Sequence, residues 1–240
     1  MSVALFIRHG KASAFSSSTD YDQLSPPGVE QSELLGGWLA NEHLQADAVF
    51  VGPRKRHEQT YASATRVMAT RGVRIPDPVV LPELDEHDGI ALVFKVLPEV
   101  AKEDPELRAV VESMARSGGK PSADDVLAAF KHLTRRWVRG EIHHPEVETW
   151  SSFRARIGKA LDRIAALGRG KTALVFTSAG AVAAATAHAL DVRDDEKVLD
   201  LSWSLFNGSV TELDFTGEKW GMRTFNATPH LRDKRLLTPV

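Results

Sequence analysis

The sequence predicts an α/β fold with three layers, in which helices cover a mostly parallel central sheet. Short apolar runs alternate with helical segments through the first part of the chain, and a further apolar run at residues 173–176 precedes an alanine-rich helical segment. Between these regions, helical patterns follow one another without a convincing strand. We therefore expect residues 1–240 to form one domain, with a helical cap inserted at about 90–149.

The first half of the sheet is predicted from three short apolar runs, at residues 3–7, 48–51 and 79–81. After the first run, Ser25 and Pro26 have the residue types that cap a helix and occupy its first position. A second helix follows the second run and extends to about Met68. This alternation predicts parallel strands, because a helical crossover lets the next strand run in the same direction.

The second half of the sheet follows an amphipathic helix in the segment WSSFRARIGKALDRIAAL. Its apolar face carries Phe153, Ile157, Leu161 and Ile164. The run at 173–176 is the most apolar predicted strand, which favours a central place in the sheet. The segments SVTELDF and WGMRTFN alternate in polarity and predict two more strands, with a turn at Thr216 and Gly217.

Composition and charge exclude several classes of function. The 30 basic and 32 acidic residues lack the cationic excess that nucleic-acid-binding proteins use. The chain has no cysteine, which excludes disulfides, thiol nucleophiles and cysteine metal ligands. It contains no signal-peptide pattern and no run of about 18 apolar residues. We expect a cytoplasmic protein with no nucleic-acid or membrane partner.

Charged and titratable residues follow each of the first three predicted strands. They are Arg8 and His9, then Arg54, Lys55 and Arg56, then Asp85, Glu86 and Asp88. Each cluster alone is typical of an ordinary surface loop, but the carboxyl ends of parallel strands share one edge of a sheet. There, arginines can bind a phosphate dianion, a neutral imidazole can attack phosphorus and a carboxylic acid can donate a proton. The pattern predicts a site for phosphoryl transfer.

Several segments resemble the histidine phosphatase superfamily, also called phosphoglycerate mutase-like. The segments ALFIRHG, LSPPGVEQSELLGGWL, PRKRHEQT and LDEHDG are similar to the family in order and spacing, and FNGSVTELDF and FNATPHL resemble its phosphatase-like members. The resemblance covers roughly residues 3–89 and 150–231 and leaves out the helical insert. It supports the α/β fold predicted above.

The resemblance also implies a role for individual residues. His9 is similar to the nucleophile that becomes phosphohistidine, and Arg8 and Arg56 resemble the arginines of the phosphate pocket. Glu86 resembles the residue that protonates the leaving group and then activates water, a task for which its pKa would have to be raised. The implied enzyme needs no metal or cofactor, and its partner is a small-molecule phosphomonoester.

The main departure from the family lies in VFTSAGAV, where members usually carry a second histidine followed by glycine. Either Ser178 or Ala179 occupies that position, and Ser178 is favoured because it aligns Gly180 with a family glycine. We therefore place Ser178 in the phosphate-binding set as a neutral donor. A smaller departure is Gly52, which stands where serine often precedes proline.

Another imidazole could replace the missing one. The candidates are His57, His87 and His230, and the sequence does not choose among them. Losing one preorganised donor costs about 100- to 1,000-fold in rate, whereas enzymes commonly accelerate reactions by ~10⁶-fold or more, so a slowed enzyme would still be active. The leading hypothesis is therefore a phosphomonoester phosphohydrolase with a phosphohistidine intermediate.

Two alternatives stay open. One is a catalytically impaired protein that binds a phosphorylated ligand or a protein partner, and the other is a phosphotransferase similar to phosphoglycerate mutase. A serine hydrolase built on Ser178 is disfavoured, because a nucleophile elbow needs a small residue where this chain has Phe176.

Overall fold

The computed structural model describes residues 1–13, 22–116 and 123–239, and the chain divides into two compact units. Met1–Glu86 and Arg156–Val240 form an α/β unit that contains the sheet. His87–Ala155 form the second unit, whose described residues contain helices and no strand. The organisation as one domain with a cap at about 90–149 stays a prediction.

A six-stranded sheet runs through the α/β unit in the order β3-β2-β4-β1-β5-β6. Its strands are β1 (Ser2–Arg8), β2 (Ala48–Val51), β3 (Pro78–Val80), β4 (Thr172–Thr177), β5 (Val210–Thr216) and β6 (Lys219–Ala227). The first four strands run parallel to one another, whereas β5 pairs antiparallel with both β1 and β6. This confirms the predicted α/β class with a mostly parallel sheet, and the apolar β4 lies inside it.

The helices of the described residues flank the sheet or build the second unit. They are α1 (Pro26–Asn41), α2 (Lys55–Thr70), α3 (Gly89–Ala91), α4 (Leu97–Val100), α5 (Pro105–Arg116), α6 (Ala123–Val138), α7 (Trp150–Ala165), α8 (Ala179–Ala189) and α9 (Asp195–Ser204). Short 3-10 turns occur at Pro82–Leu84 and Lys234–Leu236, and a π-helical turn at Leu92–Val96 joins α3 to α4. No described helix combines the length and the apolar composition that crossing a bilayer requires.

Local chemistry explains where α1 begins and how it packs. The Ser25 side chain accepts a hydrogen bond from the Gly28 N–H, as predicted for an N-cap, and proline occupies the first helical position. Leu35 of α1 then joins a core that includes Ile7 and Phe176 of the sheet. Burying such side chains is the main term that stabilises the unit.

Two elements of the α/β unit differ from the sequence prediction. β3 ends at Val80 and is exposed along its length, because it is the outer strand of the sheet. The helix α9 was not predicted from its apolar pattern, although the Asp194 side chain caps it by accepting from the Lys197 N–H. Its buried apolar residues, Val198 and Leu199, form too short an apolar stripe to indicate a helix by themselves.

Aromatic rings form the core of the helical unit. Trp150 stacks on Phe153 with ring centroids 5.4 Å apart, and Trp137 meets Trp150 edge-on at 5.3 Å. The His87 ring stacks on Trp137 at 5.2 Å and on Phe130 at 6.3 Å. Such large rings bury much apolar area per residue, so a small unit of helices gains a core from few side chains.

Candidate active site

The backbone of the Arg8-His9 pair is fixed at the carboxyl end of β1. The His9 N–H donates to the Thr177 carbonyl of β4 at 2.9 Å, and the Gly208 N–H lies 3.1 Å from the carbonyl oxygens of both Arg8 and His9. β1 and β4 are paired in parallel as far as Arg8 and Thr177. The two side chains are therefore held on a rigid strand end rather than on an open loop.

Gly10 allows this strand end to pack tightly against α1. A Cβ at Gly10 would lie 2.3 Å from the Gly28 carbonyl oxygen, far inside van der Waals contact. The Gly10 N–H donates to Thr60 Oγ1 of α2 at 3.0 Å, and that hydroxyl donates to the Arg56 carbonyl at 2.7 Å. These two contacts connect the strand end to the helix that carries Arg56.

The His9 ring is buried and has a defined hydrogen-bonding state. Its Nδ1 lies 2.7 Å from the Gly10 carbonyl oxygen, and a carbonyl can only accept, so Nδ1 carries the hydrogen. Burial lowers the pKa of His9 well below its usual value, and the charges of Arg56 and Arg8 and the neighbouring His57 lower it further. The ring is therefore neutral near pH 7, with the lone pair on Nε2.

Both predicted arginines are buried in the α/β unit. The Arg8 guanidinium donates through Nη1 to the Leu205 carbonyl. With the Asn207 amide oriented so that its oxygen faces Arg8, that oxygen accepts from Nη2 at 3.1 Å. Arg56 Nη1 lies 3.0 Å from Asp22 Oδ1. Each guanidinium is thus held by oxygen acceptors, as a buried charge requires.

Sequence reasoning missed Asp22 and Asn207 as neighbours of these arginines. Besides pairing with Arg56, Asp22 accepts the Lys55 N–H at 2.9 Å through its second carboxylate oxygen. Asn207 lies in the segment FNGSVTELDF, which resembles the family but carries no local signal for a role of its amide. Nothing in the local pattern around Asp22 distinguishes it from an ordinary loop acid.

The structure separates the three acids that follow β3 into different roles. The Glu86 carboxylate accepts the Gly180 N–H at 3.0 Å, which places it at the N-terminus of α8. Asp85 instead pairs with Arg54, Nε to Oδ1, at 2.5 Å, and Asp88 caps α3 by accepting the Ala91 N–H. Of the three, Glu86 is the acid whose contact lies beside Ser178.

Ser178 and His57 form a buried pair that the sequence did not predict. Ser178 Oγ lies 2.6 Å from His57 Nε2, and neither side chain has any exposed surface. The His57 ring centroid is 5.8 Å from that of His9. Burial, followed by the charge of Arg56, lowers the pKa of His57 to about 3, against an opposing effect of Glu86.

The other two candidate histidines have different surroundings. His230 is buried and its ring stacks on Trp38 at 6.0 Å, and burial lowers its pKa to about 4. His87 belongs to the aromatic core of the helical unit. The His57 ring, in the same unit as His9, makes a ring contact with it. Among the described residues, no group of three or more histidines and acids has the arrangement of a metal site.

The sequence matches one family model over most of its length. The model of the histidine phosphatase superfamily (branch 1) matches residues 4–126 and 118–228. The chain belongs to the histidine phosphatase superfamily. This confirms the resemblance seen in the strand-end segments and extends it over residues 90–149, which the resemblance had left out. A search of curated proteins found no match.

Solved structures similar to this histidine phosphatase superfamily chain include enzymes of two kinds. Bacillus stearothermophilus YhfR is 19% identical with a TM-score of 0.66, over 97% of this chain and 100% of that one. Phosphoserine phosphatase from Entamoeba histolytica, in complex with 3-phosphoglyceric acid, is 15% identical with a TM-score of 0.63, over 96% and 100%. Phosphoglycerate mutase from Bacillus anthracis is 16% identical with a TM-score of 0.60, over 95% and 94%. At these identities the similarity shows a shared fold.

Proposed function

We propose that this protein is a phosphomonoester phosphohydrolase that works through a phosphohistidine at His9. Membership of the histidine phosphatase superfamily supports phosphoryl transfer as the class of reaction. The observation that carries the proposal is the state of His9, a buried neutral imidazole whose Nδ1–H is engaged by Gly10. Its Nε2 lone pair is available to attack phosphorus, and Arg8 and Arg56 supply positive charge beside it.

In the first step, His9 Nε2 forms a bond to phosphorus while the ester P–O bond breaks. The leaving oxygen takes a proton from the Glu86 carboxyl group, and Arg8, Arg56 and Ser178 bind the phosphoryl oxygens. The imidazole becomes positively charged as the N–P bond forms, so the Nδ1–H bond to the Gly10 carbonyl strengthens during the step.

In the second step, water attacks phosphorus and Glu86 takes its proton. The N–P bond breaks, its electron pair returns to His9 Nε2, and inorganic phosphate leaves. The Gly180 N–H at the N-terminus of α8 donates to the Glu86 carboxylate and stabilises its ionised form, which is the form that takes this proton. We propose a small phosphorylated molecule as the substrate and the cytoplasm as the location, with no metal or cofactor in the reaction.

Turnover of a generic aryl phosphate tests the proposal. We expect His9→Ala to abolish turnover, and we expect His188→Ala, which changes an exposed histidine on α8, to leave it unchanged. Incubation with substrate should also produce an acid-labile phosphohistidine in the wild-type protein and none in His9→Ala. Equal turnover by the wild-type protein and His9→Ala would contradict the hydrolase mechanism.

A second candidate function is binding of a phosphorylated ligand without hydrolysis. Ser178 favours it, because a serine hydroxyl brings no positive charge to the place where the family usually has an imidazole. Calorimetry with inorganic phosphate, run beside the turnover assay, distinguishes the two functions. A binder would show affinity that is lost in Arg8→Met, together with no release of phosphate from the substrate.

A further inference from the structure

His57 and Ser178 meet because their strands are neighbours in the sheet. His57 lies in the first turn of α2, just after β2, and Ser178 directly follows β4. β2 and β4 are paired in parallel up to Val51 and Phe176, so their carboxyl ends lie side by side. The result is the contact of 2.6 Å between Nε2 and Oγ.

Gly52 makes room for the His57 ring. A Cβ at position 52 would lie 2.4 Å from His57 Nδ1 and 2.9 Å from the Leu84 carbonyl oxygen, so a larger residue would displace the ring. On the other side of the ring, Ser178 is small enough to leave the imidazole in contact with its hydroxyl. The two departures from the family pattern, Gly52 and Ser178, therefore border one and the same buried ring.

The pair also lies beside the proposed nucleophile. The His57 and His9 rings are 5.8 Å apart, and the His9 N–H bonds to Thr177, the residue before Ser178. His57 is fully buried next to Arg56 and stays neutral near pH 7. A neutral imidazole can carry its hydrogen on either nitrogen, and a hydroxyl both donates and accepts.

We propose that His57 is a positioning residue for phosphoryl transfer and acts through Ser178. When a phosphoryl oxygen, which only accepts, faces Ser178, the hydroxyl hydrogen points to that oxygen and His57 donates from Nε2 to Oγ. The pair thus supplies one oriented donor to the transferring group, at the end of β4. This inference rests on the phosphoryl-transfer function proposed for His9.

Moving the histidine from position 57 to position 178 tests whether the imidazole contributes to the reaction or only to packing. We expect His57→Ala to lower kcat on an aryl phosphate by up to about 100-fold, the cost of losing the Ser178 donor, because the hydroxyl loses the group that orients it. Ser178→His alone should also be impaired, because its ring needs the space that His57 fills. The double variant His57→Ala with Ser178→His should recover activity to within about 10-fold of wild type.

A conservative variant and a control complete the set. His57→Gln places an amide near the Nε2 position, so we expect it to retain a higher kcat than His57→Ala, with thermal unfolding used to show that both variants are folded at the assay temperature. His188→Ala serves as the control for removing a histidine outside the site. The proposal is overturned if His57→Ala has wild-type kcat, or if neither His57→Gln nor the double variant is more active than His57→Ala.

Calorimetry with inorganic phosphate separates this proposal from the hydrolase proposal. If the wild-type protein and His9→Ala turn over equally, the hydrolase mechanism fails and phosphate binding alone is used as the readout. If phosphate then binds more weakly to His57→Ala than to the wild-type protein, and the double variant recovers this affinity, the result supports the proposal that His57 orients the Ser178 donor. Equal phosphate affinity in wild type and His57→Ala would overturn it.

Discussion

The two units of the chain bury different kinds of side chain. The described part of the α/β unit buries five titratable side chains, namely Arg8, His9, Arg56, His57 and His230. In the described part of His87–Ala155, the buried side chains are apolar or aromatic except for Thr134. Its Lys95–Glu146 ion pair, for example, joins two exposed side chains.

This difference indicates that the buried side chains of the helical unit mainly stabilise the fold, whereas those of the α/β unit mainly serve the proposed reaction. Burying a charge or an imidazole costs free energy unless partners compensate, so such groups persist where they serve another purpose. Burying an aromatic ring has no such cost, and removing one from the core mainly lowers the free energy of unfolding. Substitutions in the helical unit should therefore change unfolding, whereas substitutions in the buried polar group should change turnover and pH dependence.

The largest effect is expected in the aromatic core. Phe153→Ala removes a fully buried ring that packs on Trp150, and we expect the free energy of unfolding to fall by about 3–5 kcal/mol. Urea unfolding measures this change. The matched control is Phe94→Ala, whose ring is 59% exposed. A loss no larger than that of the control would contradict an aromatic core in this unit.

The next effect concerns the buried cations of the α/β unit. Arg56→Met removes a guanidinium that lies beside His9, and we expect kcat/KM to fall by about 100- to 1,000-fold. Arg66→Met on the same helix is the control, because Arg66 is exposed and pairs with Glu33. If the two variants have kcat/KM values within about 3-fold of each other, Arg56 is not part of the site.

A smaller effect should appear as acid sensitivity of the α/β unit. The pKa of His57 is lowered to about 3 and that of His230 to about 4, whereas an unfolded histidine titrates near 6.5. Below about pH 6.5 the unfolded chain therefore binds more protons, and stability falls by up to about 1.4 kcal/mol per pH unit for each such histidine.

The contribution of one ring can be isolated in the same experiment. His57→Gln removes one of these groups, so its free energy of unfolding should depend less steeply on pH between about 6 and 4. Urea unfolding at a series of pH values gives the two slopes. Parallel lines for the wild-type protein and His57→Gln would show that His57 is not buried in its neutral form.

The smallest effect is expected at the surface of the helical unit. Lys95→Met breaks the ion pair with Glu146, whose partners are 41% and 66% exposed. We expect a loss below about 1 kcal/mol, because exposed pairs gain little in water. The difference from wild type should shrink further at about 1 M salt. A loss that is larger, or that salt leaves unchanged, would place this pair in a less exposed setting.

Much of the fold could be predicted from local patterns. The apolar runs before Arg8 and Arg54 predicted β1 and β2, and Ser25 predicted the start of α1, because each signal involves residues close together in the chain. The apolar face of α7 was predicted for the same reason. The sequence pattern did not predict α9, because this helix lacks a long apolar stripe and its residues are buried by tertiary contacts.

The candidate site was predictable in its strand-end residues and not in their neighbours. Apolar runs that end in charge pointed to Arg8, His9 and the cluster of Arg54, Lys55 and Arg56, and the family resemblance singled out Arg56 within that cluster. Asp22 and Asn207 carry no local signal, since each acts through a contact with a residue far away in the chain.

By itself, the sequence determined the order of the strands and of the helices other than α9, the residues at the strand ends and the family to which the chain belongs. Only the tertiary structure decided that His57 lies beside His9. The physical reason is that strand order 2-4-1 brings together residues that are 121 positions apart, such as His57 and Ser178. Local periodicity extends over a few turns of helix or one strand, and it cannot specify a contact of that range.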